Sequence, residues 1–232
     1  MSIITTRSSF LHKTPASLLA VIITAALSSV AVQAHAQDAT EGALCTDRPT
    51  KANAACTVPA GDWQLETDIG NDTRDSQPGV RIETAYFTNP TLKYGVSDRL
   101  DLQVNWAPQL RVETTDRASG TRSSLSGGGD LYLRMKARIY QSDTATVALL
   151  PFVKAPIART GLGNDIWEGG LALPVNIVLP NRFTLTFGPE LDWLADSHGS
   201  GTHVAIVNVI NLARPLTPRL SMAAELSDRK SV

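Results

Sequence analysis

The chain is short of charge, of aromatic rings and of cysteine. Charged residues make up 19% of its 232 residues, aromatics 6%, and there are two cysteines. Neither sign of charge dominates, with 21 Lys and Arg against 22 Asp and Glu. That balance leaves no basic footprint for nucleic acid. Beyond the first forty residues no apolar run is long enough for a membrane helix, which excludes a bundle of such helices. H-E-x-x-H, G-x-S-x-G and a phosphate-binding glycine loop are all missing. No catalytic residue, metal or cofactor is therefore expected. His198 and His203, with Asp192 and Asp196, match no common metal spacing and sit by a Gly-Ser loop.

The first long feature is a leader. Arg7, His12 and Lys13 precede Ala16–Val32, which carries no charge, and Ala34-His35-Ala36 gives a small-x-small cleavage pattern. Residues 1–36 read as a secretory signal peptide. The alternative is an uncleaved anchor, for which the run is slightly short. Residues 37–61 form an irregular lead-in with Pro49, Pro59 and both cysteines, Cys45 and Cys56. An even cysteine count in an exported chain favours a disulfide, which would stabilise by roughly 3 kcal/mol in the chain-entropy model. The alternative is a metal pair, which no nearby His or further Cys completes.

From residue 62 the dominant period is two, the signature of strands. Nine runs show it: 62–70, 80–94, 100–112, 130–140, 145–156, 167–179, 183–193, 203–213 and 219–226. The third is the clearest. Leu100, Leu102, Val104 and Trp106 alternate with Asp101, Gln103 and Asn105. The connections 71–79, 113–129, 157–166 and 194–202 are long, and those between them are short. In an antiparallel meander this places every long loop at one end. Such asymmetry predicts an all-β, antiparallel up-and-down outer-membrane β-barrel, with lipid as its surroundings. Trp63, Tyr94 and Phe183 fall at short-turn ends, and Trp167 and Trp193 at long-loop ends, as interfacial aromatics do.

In a soluble sandwich the polar faces meet water. In a barrel they line the lumen. The lumen-lining candidates are Glu66, Asp68, Arg81, Glu83, Lys93, Asp101, Arg134, Lys136, Arg138, Lys154, Glu190 and Asp192. Both signs are present, so the lumen is expected to be wet and internally paired. Arg134, Lys136 and Arg138 form a single-sign stripe that either attracts an anion or pairs with acids on neighbouring strands.

Several segments resemble a known family. Leu44-Cys45-Thr46-Asp47-Arg48-Pro49-Thr50 followed by Cys56-Thr57-Val58-Pro59-Ala60-Gly61 looks like the start of the phenol-degradation meta-pathway outer-membrane proteins. Tyr94–Leu102, Gly129-Asp130-Leu131, Leu150–Lys154 and Trp167–Gly170 also resemble that family. The resemblance covers about 44–226. It implies an outer-membrane β-barrel passing small, often aromatic, solutes, with the barrel-assembly machinery as a partner. It implies no catalytic or binding residues. The chain departs from the family at its end. Ser227–Val232 is a charged tail without alternation, where such barrels finish on an aromatic residue. Nine strands are also an odd number, whereas single-chain bacterial barrels have even numbers. The sequence thus predicts an incomplete barrel over 62–226 with an aberrant tail at 227–232. A non-transporting periplasmic or outer-membrane β-rich protein is the alternative, and an outer-membrane enzyme is the third reading.

Overall fold

The computed structural model describes residues 44–48, 50–196, 201–217 and 220–232. The leader, the lead-in before Leu44, and His198 lie outside them. Residues 44–232 form one compact unit.

The unit is built from antiparallel strands: β1 Trp63–Glu66, β2 Asn71–Gln77, β3 Val80–Thr88, β4 Thr91–Ser97, β5 Leu100–Trp106, β6 Gln109–Asp116, β7 Arg122–Gly127, β8 Leu131–Gln141, β9 Ala145–Ala155, β10 Glu168–Ala172, β11 Val175–Leu179, β12 Phe183–Ala195, β13 Thr202–Thr217 and β14 Leu220–Ser231. A helical turn, Pro180–Arg182, closes the short β11–β12 connection. The main sheet runs β1-β4-β5-β8-β9-β10-β12-β13-β14, with β11 completing the β10 position between β9 and β12. A second sheet runs β2-β3-β6-β7.

The two sheets follow one plan. Each of the first four long strands breaks once, at 67–70, 89–90, 107–108 and 128–130, and continues from one sheet into the other. Counted through these breaks, nine strands alternate in direction, as the period predicts. Two segments expected as long loops, 71–79 and 113–129, instead carry β2 and β7 and the end of β6. They are polar and show little alternation, so their strand character comes from the ladders that β3 and β6 offer them. The tail also differs from expectation. Residues 227–231 continue β14, with Ser231 opposite Ala205. That continuation turns Asp228 and Lys230 onto the face that carries Leu226 and Met222.

Burial in the main sheet is inverted relative to a soluble protein. In β5, Asp101, Gln103 and Asn105 are buried, while Leu102, Val104 and Trp106 are exposed. Register extends this pattern across the sheet. One outward row reads Leu65, Leu92, Val104, Leu133, Val153, Gly169, Trp193 and Val204. One inward row reads Glu66, Thr91, Asn105, Tyr132, Lys154 and Glu168. Trp63, Trp167 and Trp193 are each more than 60% exposed. Trp63 packs on Tyr94 with ring centroids 4.6 Å apart.

In the second sheet the charges lie on the outward face. Tyr86 and Leu110 face the same hollow as Tyr132 and Lys154. Alternation puts Ile82, Thr84, Val112 and Leu125 on that face, and Arg74, Arg81, Glu83, Arg111, Glu113 and Arg122 on the other. Arg81 and Glu83 are therefore not lumen residues. A register shift between Tyr86 and Thr88 adds one residue to the strand and reverses its alternation. The two pair with each other, and Arg74 also pairs with Glu83.

Candidate solute chamber and its plug

The lead-in lies against the inward face of the main sheet. Cys45 and Cys56 are joined, with Cα atoms 5.6 Å apart, and the loop they close holds Asp47. Asp47 is clamped between two buried lysines, at 2.5 Å from Lys93 Nζ and 2.7 Å from Lys136 Nζ. Lys93 is 1% exposed and Lys136 0%. Lys93 also meets Glu66 at 2.6 Å, and Glu66 accepts the Asp47 backbone N–H at 3.1 Å. Burial alone would raise the Asp47 pKa. The two lysine charges and their hydrogen bonds outweigh that and hold its carboxyl below the ordinary aspartate value.

Further bonds carry the segment across the sheet. Arg48 pairs with Asp68 and donates to Asn89 O at 2.8 Å. The Val58 amide donates to Asp101 Oδ2 at 3.0 Å, and the Thr57 hydroxyl to Asp98 O at 2.8 Å. The Ala55 amide donates to Asn176 Oδ1 at 2.7 Å. The Lys51 and Ala52 amides both donate to Glu225 on β14, each at 3.0 Å. No ladder joins β1 to β14 among the described residues. The lead-in spans the gap, bonded to Gln64 and Glu66 on one edge strand and Glu225 on the other.

Space remains above this plug. A hollow of about 420 Å³ is lined by Glu66 and Asp68 near the first edge and by Val207 and Val209 near the last, so the sheet curls round it. A second, of about 500 Å³, lies toward the long loops between Tyr86, Tyr132, Lys154 and Glu168. A smaller one of about 220 Å³ carries Glu190, Asp192 and Arg229. Arg134 lines all three. The described chamber is thus a chain of polar hollows, and the plug's bonds to Asp98, Asp101 and Asn176 close its short-turn end.

Most of the residues expected to line a lumen meet here. Glu66, Asp101 and Lys136 join the plug, Asp68 joins it through Arg48, and Lys154, Glu190 and Asp192 line the hollows. Arg138 stands at the short-turn rim, donating to Asp98 O at 2.5 Å. The stripe of Arg134, Lys136 and Arg138 has split roles. Lys136 pairs with Asp47, whereas Arg134 makes no ion pair among the described residues. His203 Nδ1 meets Asp196 Oδ1 at 2.8 Å, and no metal-holding cluster exists among the described residues.

The family described as "Putative MetA-pathway of phenol degradation" matches residues 46–226. The chain belongs to that family. The matched segment begins at the plug and runs to Leu226, so it takes in both plug and chamber. No curated protein matches the chain.

Proposed function

We propose that this family member is an outer-membrane β-barrel that passes small aromatic or hydrophobic compounds passively. The observation that carries the reading is the inverted burial of the main sheet. A face of leucine, valine and tryptophan turned outward is costly in water and favourable in lipid. A face of buried lysine, aspartate and glutamine turned inward suits a wet lumen. The name of the family supports an aromatic solute. Export by the leader, insertion by the barrel-assembly machinery and residence in the outer membrane belong to the same reading. So does the absence of catalysis, since Lys154, Glu168 and Asp130 in the chamber are engaged in structural pairs.

A filled, non-conducting barrel is the second reading, and the plug favours it, because its bonds to Asp98, Asp101 and Asn176 close the short-turn end. Reconstitution into liposomes separates the two. The transport reading expects phenol entry faster than in protein-free vesicles, and faster still after removal of 44–61. A folded, inserted protein with no flux in either form contradicts it.

A further inference from the structure

We propose that the chamber on the long-loop side is a binding site for a small aromatic monocarboxylate, with Arg134 as its anion-binding group. The proposal rests on the transport reading for its biological sense and on the chamber's own chemistry for its ligand. The chamber's 500 Å³ lies within the range of small-molecule sites.

The carboxylates of this chamber are already engaged. Glu168 Oε2 meets Lys154 Nζ at 2.6 Å, and its Oε1 accepts from Asn164 Nδ2 and the Ala195 amide, each at 2.7 Å. Asp130 Oδ2 meets Lys154 at 3.2 Å, and its Oδ1 accepts the Ala158 amide at 3.1 Å. Lys154 is therefore engaged as well. Two cations stay uncommitted. Neither Arg134 nor Arg229 forms an ion pair among the described residues, and Arg134 Nε is buried without a partner there. Both line the chamber. Glu190 attracts both arginines and Asp192 attracts Arg229, in each case from beyond ion-pair distance, across the adjoining smaller hollow that all four line. The larger hollow is lined by the two arginines and by neither of those acids.

The aromatic half of the ligand follows from what surrounds Arg134. Its guanidinium carbon lies 5.6 Å from the centre of the Tyr132 ring. Tyr86, Leu110, Leu162 and Leu194 supply further flat or apolar wall. A guanidinium binds a carboxylate with two parallel N–H donors, and a ring attached to that carboxylate lies along the tyrosine wall. Phenol lacks the charge for Arg134. Acetate lacks the ring.

Calorimetry of the detergent-folded full chain with benzoate, phenol and acetate at low ionic strength tests this. We expect saturable benzoate binding, tighter than either other ligand, and a loss of about tenfold or more in Arg134→Gln. Arg134→Lys keeps the charge without the fork and is expected to fall between them. Benzoate binding no tighter than acetate or phenol, or unchanged in Arg134→Gln, overturns the site. Should Arg134→Gln fail to fold, Arg229→Gln with an unchanged benzoate affinity, together with an unchanged affinity in Arg134→Lys, overturns it equally. Phenol flux without benzoate binding removes the site and leaves transport standing. Benzoate binding without any flux does the reverse.

Discussion

Asp47 concentrates the chemistry of the plug in one side chain. It neutralises two lysines that are otherwise buried without an acid of their own on the lead-in. Removing one partner of a buried pair leaves an uncompensated charge, which costs about 3–5 kcal/mol. Asp47→Asn is therefore expected to loosen residues 44–61 and to raise their hydrogen exchange while the strands stay protected. Its depressed pKa adds a pH dependence. A carboxyl held lower in the folded state than in the unfolded state stabilises above its unfolded value, and that contribution is lost as pH falls through the folded value. Plug protection at 44–61 should fade below about pH 4 in the wild type, and Asp47→Asn should lack that component. Gly170 shows the reverse sensitivity. A Cβ there would lie 2.6 Å from Asp192 Oδ1 and 2.7 Å from the Leu191 carbonyl oxygen. Gly170→Ala should destabilise by about 1–3 kcal/mol in urea titration. At this scale the sequence was readable where alternation held. Asp101 and Lys136 stand opposite one another, facing inward as their period implies. Asp47 was not readable, because it lies in a loop with no period. Arg81 and Glu83 were misassigned because one inserted residue near Phe87 leaves no mark in composition.

The elements divide the work. The cystine closes the plug loop, and cross-linked loops lose less entropy on ordering. Cys45→Ser with Cys56→Ser should shift liposome flux toward that of a chain lacking 44–61, with the strands unaffected. The strand breaks mark a change in the chemistry of the outward face. Below them the outward face is apolar, and above them it carries Arg74, Arg81, Glu83, Arg111 and Glu113. A charge introduced on the lower face should cost far more than one on the upper. Val104→Arg is expected to destabilise the inserted protein by about 2–4 kcal/mol if it sits near mid-bilayer. Ser124→Arg, opposite Glu113 on the charged face, should stay within about 0.5 kcal/mol. The count of nine strands was legible because the lower strands keep strict alternation. The upper sheet was not, because β2 is polar throughout, β7 is polar apart from Leu125 and the glycine, and both gain their pairing from neighbours.

At the scale of the described unit, two polarities are stacked along the same strands. The lower sheet is polar within and apolar without, and the upper sheet is mixed within and charged without. Neither a soluble sandwich nor a uniform lipid-facing wall accounts for both. The proposed outer-membrane barrel, with strands that would leave the bilayer and continue into water, accounts for both. The most direct measurement is nitroxide accessibility in the liposome-inserted protein, with labels at Val104, Leu133 and Ser124. The account predicts that Val104 and Leu133 collide readily with oxygen dissolved in lipid and poorly with a water-soluble nickel chelate, and that Ser124 does the opposite. Labels at Val104 and Leu133 that favour the aqueous chelate would contradict it.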